Sequence, residues 1–178
     1  MDHGFVNDIN EEWHLWASIR GTKKGRIHYK WKGNSLIDSV LWEQQGIAAR
    51  VLADWGEQKT REQEQIQAPY FFKEGNTFFC FYNSARIRVM TSENGSTFKR
   101  PMFKDSSNLL YEHGRRDVMI LKEGDSYFSN STISTVAKDG WTRGFLSLRT
   151  SENLKKRNIH FKIQLCLLLM SIETKTPC

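Results

Sequence analysis

The chain has 178 residues, 39% of them hydrophobic and 26% charged, which is the composition of one folding domain and excludes a disordered chain. Its net charge of +6 comes from short scattered groups such as Lys23, Lys24 and Arg26, or Lys155, Lys156 and Arg157. Such groups suit solvated turns rather than a phosphate track, so nucleic acid is not expected as a partner.

Three widely spaced cysteines, Cys80, Cys166 and Cys178, make neither a disulfide framework nor a metal-ligand pattern. The start, Met1 to Phe5, lacks the basic and apolar regions of a signal peptide, which leaves the location of the protein undefined. The longest apolar run, Leu165 to Met170, is far too short to cross a bilayer, and no membrane partner is expected. Aromatic residues make up 12% of the chain, six of them Trp; they suit β-structure and also sugar binding, since sugar C–H faces stack on aromatic planes.

In chain order, Glu12 to Ser18 reads as an aromatic strand and Gly25 to Trp31 alternates polar with apolar, the period of a half-buried strand. Trp42 closes this first unit. Residues 56 to 67 are polar and read as a long joining loop, with a short surface helix as the alternative. The second unit opens on Pro69-Tyr70-Phe71-Phe72, turns through Lys73-Glu74-Gly75-Asn76, and enters the aromatic run Thr77 to Phe79. The third repeats it: Val118 to Leu121, then Lys122-Glu123-Gly124-Asp125, then Ser126 to Phe128, at an offset of 122 − 73 = 49 residues. Each reads as strand, tight turn, strand.

The echo continues from Arg88 to Asn94 into Ser147 to Asn153, at an offset of 151 − 92 = 59. The extra ten residues are expected in the turn around Ala137 to Gly140, because loops absorb insertions readily. Three all-β units of roughly 50 to 60 residues result, the size of propeller blades. Residues 159 to 178 show no repeat and form an atypical tail, a final strand, a short buried helix or a product of a shifted reading frame, after a propeller unit spanning residues 1 to 158.

The stretches Ala68-Pro69-Tyr70, Phe79 to Asn83, Arg88 to Gly95 and Arg115-Arg116-Asp117-Val118 together resemble the five-bladed β-propellers of glycoside hydrolase families 43 and 32. The resemblance implies an all-β fold, a partial five-bladed β-propeller of about three antiparallel blades. It also implies carboxylates at the propeller axis, each opening an innermost strand. One serves as base or nucleophile, one stabilises the transition state and one is the acid, since glycosidic cleavage needs a proton donor and a carboxylate on opposite sides of the sugar.

Asp117 matches the second of these roles and Asp2 the first. Asp8 is a weaker rival to Asp2, and Ala68 stands where the middle unit would carry its carboxylate (117 − 49 = 68). Each Asp beside a strand also has the plainer reading of a turn cap. Arg116, Trp16 and Tyr82 are the expected substrate contacts. No Glu opens a later blade in this chain, so the acid is missing. The histidines His3, His14, His28 and His113 show no metal-ligand spacing, and no phosphate-binding or cofactor motif is present, so neither metal nor cofactor is expected.

The implied function is a glycoside hydrolase-like protein that takes a carbohydrate ligand and lacks its general acid. The alternative is a non-catalytic carbohydrate-binding or structural propeller. Bare blade faces are expected to promote self-association.

Overall fold

The computed structural model describes residues 2–37, 42–101, 108–110, 115–124, 126–137, 140–151 and 163–164. They form three sheets in chain order, antiparallel throughout except for one short pairing in the first. The first holds β1 (His3–Asn7), β2 (Trp13–Thr22), β3 (Gly25–Gly33) and β4 (Glu43–Ala49), paired in succession. A 3-10 turn at Ala53–Trp55 follows, and then a small hairpin of β5 (Lys59–Thr60) and β6 (Gln63–Gln65), whose β6 pairs parallel to the start of β3. The polar stretch is therefore neither helix nor plain loop. Arg61 and Glu62, both at positive φ, turn its chain tightly enough for two short strands to meet.

The second sheet is β7 (Gln67–Glu74), β8 (Thr77–Ser84) and β9 (Arg86–Ser92). Single antiparallel bridges, Thr91 to Lys99 and Arg88 to Leu109, continue it beyond β9. The third sheet is β10 (Arg115–Glu123), β11 (Ser126–Ala137), β12 (Gly140–Ser151) and the short β13 (Ile163–Gln164). Apart from Ile163 and Gln164, the tail of residues 159 to 178 lies outside the described residues, as do Cys166 and Cys178.

The 49-residue echo is the hairpin β7–β8 repeated as β10–β11. Gly75 and Gly124 occupy the same place in the two turns, at φ 55° and 56°, the left-handed conformation that glycine adopts without steric cost. The ten extra residues of the third unit do not form a loop. They lengthen the next hairpin: β8 and β9 have 8 and 7 residues, whereas β11 and β12 each have 12. A hairpin accepts added residues when both arms grow together, because every new backbone group then finds a partner across the ladder.

Strand alternation explains why the middle sheet is buried on both faces. On β8, Cys80 and Tyr82 point to the first sheet, where they join Trp16, Ala49, Val51, Ile66 and Met90 in one apolar cluster. The intervening Phe79 and Phe81 point to the third sheet and join Ile87, Val89, Leu110 and Val118. Period-2 geometry thus divides a single aromatic run between two blade interfaces. Each fully buried side chain of this size contributes about 1.5–3 kcal/mol. The sheets are three face-packed blades of a partial five-bladed β-propeller.

Candidate functional site

The opening strands of the three sheets, β1, β7 and β10, lie side by side in that order. Glycine makes the closest approach feasible, since a Cβ on Gly4 of β1 would meet the carbonyl oxygen of Pro69 on β7 at 2.5 Å. Three residues stand at or near the starts of these strands. They are Asp2, Ala68 and Asp117.

Two of these positions share an uncommon backbone. Ala68 has φ 53° and Asp117 has φ 56°, both left-handed and both without the freedom of glycine. Each sits in a register shift, between Gln67 and Tyr70 on β7 and between Arg116 and Met119 on β10. An extra residue in one strand bends it and re-aims a side chain. The repeated sequence thus carries a repeated bulge, and only the third unit puts a carboxylate on it.

Asp2 is held through Ser18 and Arg20 of the neighbouring strand. The Ser18 N–H donates to the Asp2 carbonyl at 2.8 Å, and Arg20 Nη2 donates to the Asp2 carboxylate at 3.1 Å. Ser18 is fully buried, and its Oγ accepts the Ala68 N–H at 3.0 Å. Asp117 is exposed, and its Oδ1 accepts a hydrogen bond from Asn83 Nδ2 at 3.2 Å. Asn83 stands opposite Gln67 in the β7–β8 ladder, and the Gln67 Oε1 accepts from Arg26 Nη1 at 2.5 Å. Side chains of the first and second blades therefore bracket Ala68, between the two aspartates. No sequence motif marks Ser18 or Asn83 for these contacts. Asn83 ends a run that matched the resemblance, but nothing local marks its partner 34 residues away.

The other expected contacts fall differently. Arg116 is exposed beside Asp117. Trp16, at 2% exposure, is packed edge-on against His28, Phe71 and Phe98, and Tyr82, at 0%, lies inside the same cluster. Neither ring presents a face to solvent, so neither offers a surface on which a sugar could stack. The Tyr82 hydroxyl instead donates to Glu57 Oε1 at 2.5 Å and accepts from Asn108 Nδ2 at 2.7 Å. Burial and the Glu57 carboxylate push its pKa far up, so it stays neutral.

Glu57 also receives Arg100 through Nε at 2.6 Å and Nη2 at 2.9 Å. Glu64 is paired with Arg50 and accepts the Val51 N–H at 2.8 Å. Both buried glutamates are thus committed to ion pairs. Glu152 and Glu173 lie outside the described residues.

Asp8, the rival to Asp2, ends β1 and clamps the β1–β2 turn. Its Oδ1 accepts the N–H groups of Asn10 and Glu12 at 2.8 and 3.1 Å, and its Oδ2 meets His14 Nε2 at 3.0 Å. Burial alone would raise its pKa, but these donors bring it below the ordinary carboxylate value. Asp8, Glu12 and His14 converge closely enough that they could hold a metal ion, a grouping spread over seven residues that no sequence motif announces. Lys32 Nζ, 2.5 Å from Glu12, and the N–H donors on Asp8 already fill much of that donor set, and the group reads as a turn clamp. Among the described residues no helix is long and apolar enough to cross a membrane.

No protein-family model and no curated protein matches the sequence. Solved structures do. A family 117 glycoside hydrolase from the marine bacterium Zobellia galactanivorans is similar with a TM-score of 0.60 at 11% identity, over 94% of this chain and 56% of its own. A GH32 β-fructofuranosidase from Bombyx mori gives 0.54 at 14% identity, over 84% of this chain and 33% of its own. A mutant α-L-arabinanase from Cellvibrio cellulosa gives 0.52 at 12% identity, over 84% and 53%. The chain spans about half the length of these arabinanase and family 117 structures. The likeness is one of fold, that of the β-propeller glycosidases.

Proposed function

We propose that this chain carries part of a glycan site of the glycoside hydrolase kind, with Asp2 as the base or nucleophile and Asp117 as the carboxylate that stabilises the transition state. The reading rests on one observation above the others: Asp2 and Asp117 stand at the starts of strands β1 and β10, which flank β7 in a propeller arc. Residues opening adjacent inner strands converge on the axis, where two carboxylates can face one sugar ring. Arg116, exposed and next to Asp117 in the chain, serves as a substrate contact. None of these three residues serves as the general acid, and the chain is expected to bind a glycan with negligible turnover.

A cationic iminosugar with an arabinose-like ring tests the reading, because its charge mimics the transition state these carboxylates would stabilise. Binding to the chain is measured by titration calorimetry, alongside hydrolysis of aryl glycosides. Expected are iminosugar binding tighter than that of neutral arabinose, its loss on Asp117→Asn, and negligible hydrolysis. Binding unchanged by Asp117→Asn would remove the assignment of the site, and binding unchanged by Asp2→Asn would remove the role of Asp2. The non-catalytic carbohydrate-binding reading predicts no preference for the cation over the neutral sugar.

A further inference from the structure

Asn83 is a buried polar residue near the end of a strand whose centre, Phe78 to Phe81, is apolar. It lies on β8, is 3% exposed, and donates from Nδ2 to Asp117 Oδ1 at 3.2 Å. Among the described residues its own buried Oδ1 has no hydrogen-bond partner. The amide orientation follows from chemistry: an ionised carboxylate only accepts, so the NH2 end must face Asp117. A buried amide with one unsatisfied oxygen is a poor device for stability. An apolar side chain would pack there without that cost, as Phe79 and Phe81 do on the same strand.

Asp117 needs what Asn83 supplies. It sits on a bulge at φ 56° and is exposed, so local backbone alone leaves its carboxylate free to rotate. The middle blade has Ala68 at the equivalent position and contributes no carboxylate of its own. It contributes instead a donor one strand further out, aimed at the carboxylate of the next blade. We infer that Asn83 is a positioning residue that orients the Asp117 carboxylate toward the axis. This rests on the reading of Asp117 as a site carboxylate.

The test uses the full chain, with iminosugar and neutral arabinose as probes and thermal unfolding as the fold check. Asn83→Ala is expected to weaken iminosugar binding on the order of tenfold, the size of a lost hydrogen bond to a charged group. Neutral arabinose should change less than about twofold by the same comparison. Asn83→Ser, which keeps a small polar group in the buried site, should act in the same direction and stands in if the alanine variant fails to fold. In the Asp117→Asn background, Asn83→Ala should add nothing, because the carboxylate it positions is gone. Equal losses for both ligands, or losses that add in the double variant, would overturn the positioning role. If the unaltered chain shows no cation preference, or Asp117→Asn leaves it intact, the reading of the site itself has failed and the role of Asn83 falls with it.

Discussion

His28 shows how a single residue records its surroundings. Its ring is fully buried between the rings of Trp16 and Tyr82, and among the described residues neither ring nitrogen has a hydrogen bond of good geometry. Burial drives its pKa down to about 3; the Arg100 charge adds to the fall, while the Gln67 backbone and the Asp2 charge oppose it. The sign follows from proton counting. Between about pH 6.5, where an unfolded histidine gains its proton, and about pH 3, the unfolded chain holds more protons than the folded one. Stability is therefore retained above pH 6.5 and falls by up to about 1.4 kcal/mol per pH unit as the solution is acidified through that window. His28→Gln removes the ionisation. Urea unfolding from pH 7 to pH 4 should show a shallower decline for this variant than for the unaltered chain, and parallel slopes would count against the burial argument.

At the scale of elements, the joints between blades are held by charge as well as by apolar contact. Arg88 donates to the carbonyls of Ser84, Trp55 and Gly56 and to Asn108, while Glu57 gathers Leu52 N–H, Tyr82 and Arg100. The connection from the first to the second blade is thereby tied to β8 and β9 through residues with few alternatives to pairing. Removing one member strands a buried charge, whose penalty is about 3–5 kcal/mol, whereas replacing both partners by neutral groups costs less. Arg100→Met should lower the urea midpoint strongly, and Arg100→Met combined with Glu57→Gln should recover part of the loss. Additive losses in the pair would show that Glu57 and Arg100 do not depend on each other.

For the whole molecule the outer blades matter most. Cross-strand partners share a face, so Phe5, Leu15 and Trp31 line the side of the first blade turned away from the second. Phe5 is 41% exposed and Ile47, opposite Tyr29 on the same sheet, is 51% exposed. On the third blade Met119 and Leu121 alternate with the inward Val118 and Ile120 and are 48% and 55% exposed. Apolar sheet faces of this kind are interaction sites or liabilities. The chain should self-associate at micromolar concentration, seen as a mass above 20.8 kDa by light scattering, and Phe5→Asp with Leu121→Asp should shift it toward monomer. A clean monomer with sharp reversible unfolding would count against open blade faces.

The blades are legible in the sequence alone, and the reason is local. A strand writes its period into every second residue, and a tight turn demands its Gly within a few positions, so Lys73 to Phe79 and Lys122 to Phe128 declare the same hairpin. The equivalence of Ala68 and Asp117 followed from the same register and reappears as a shared bulge. What depends on partners far along the chain could not be read this way. Trp16 and Tyr82 look like sugar platforms until two blades close over them. The ten added residues look like a loop until both arms of a hairpin take them up. Asn83 becomes meaningful only when β10 brings Asp117 within 3.2 Å of it. Alternation tells which face a side chain takes, but what covers that face is set by sheet packing between residues tens of positions apart.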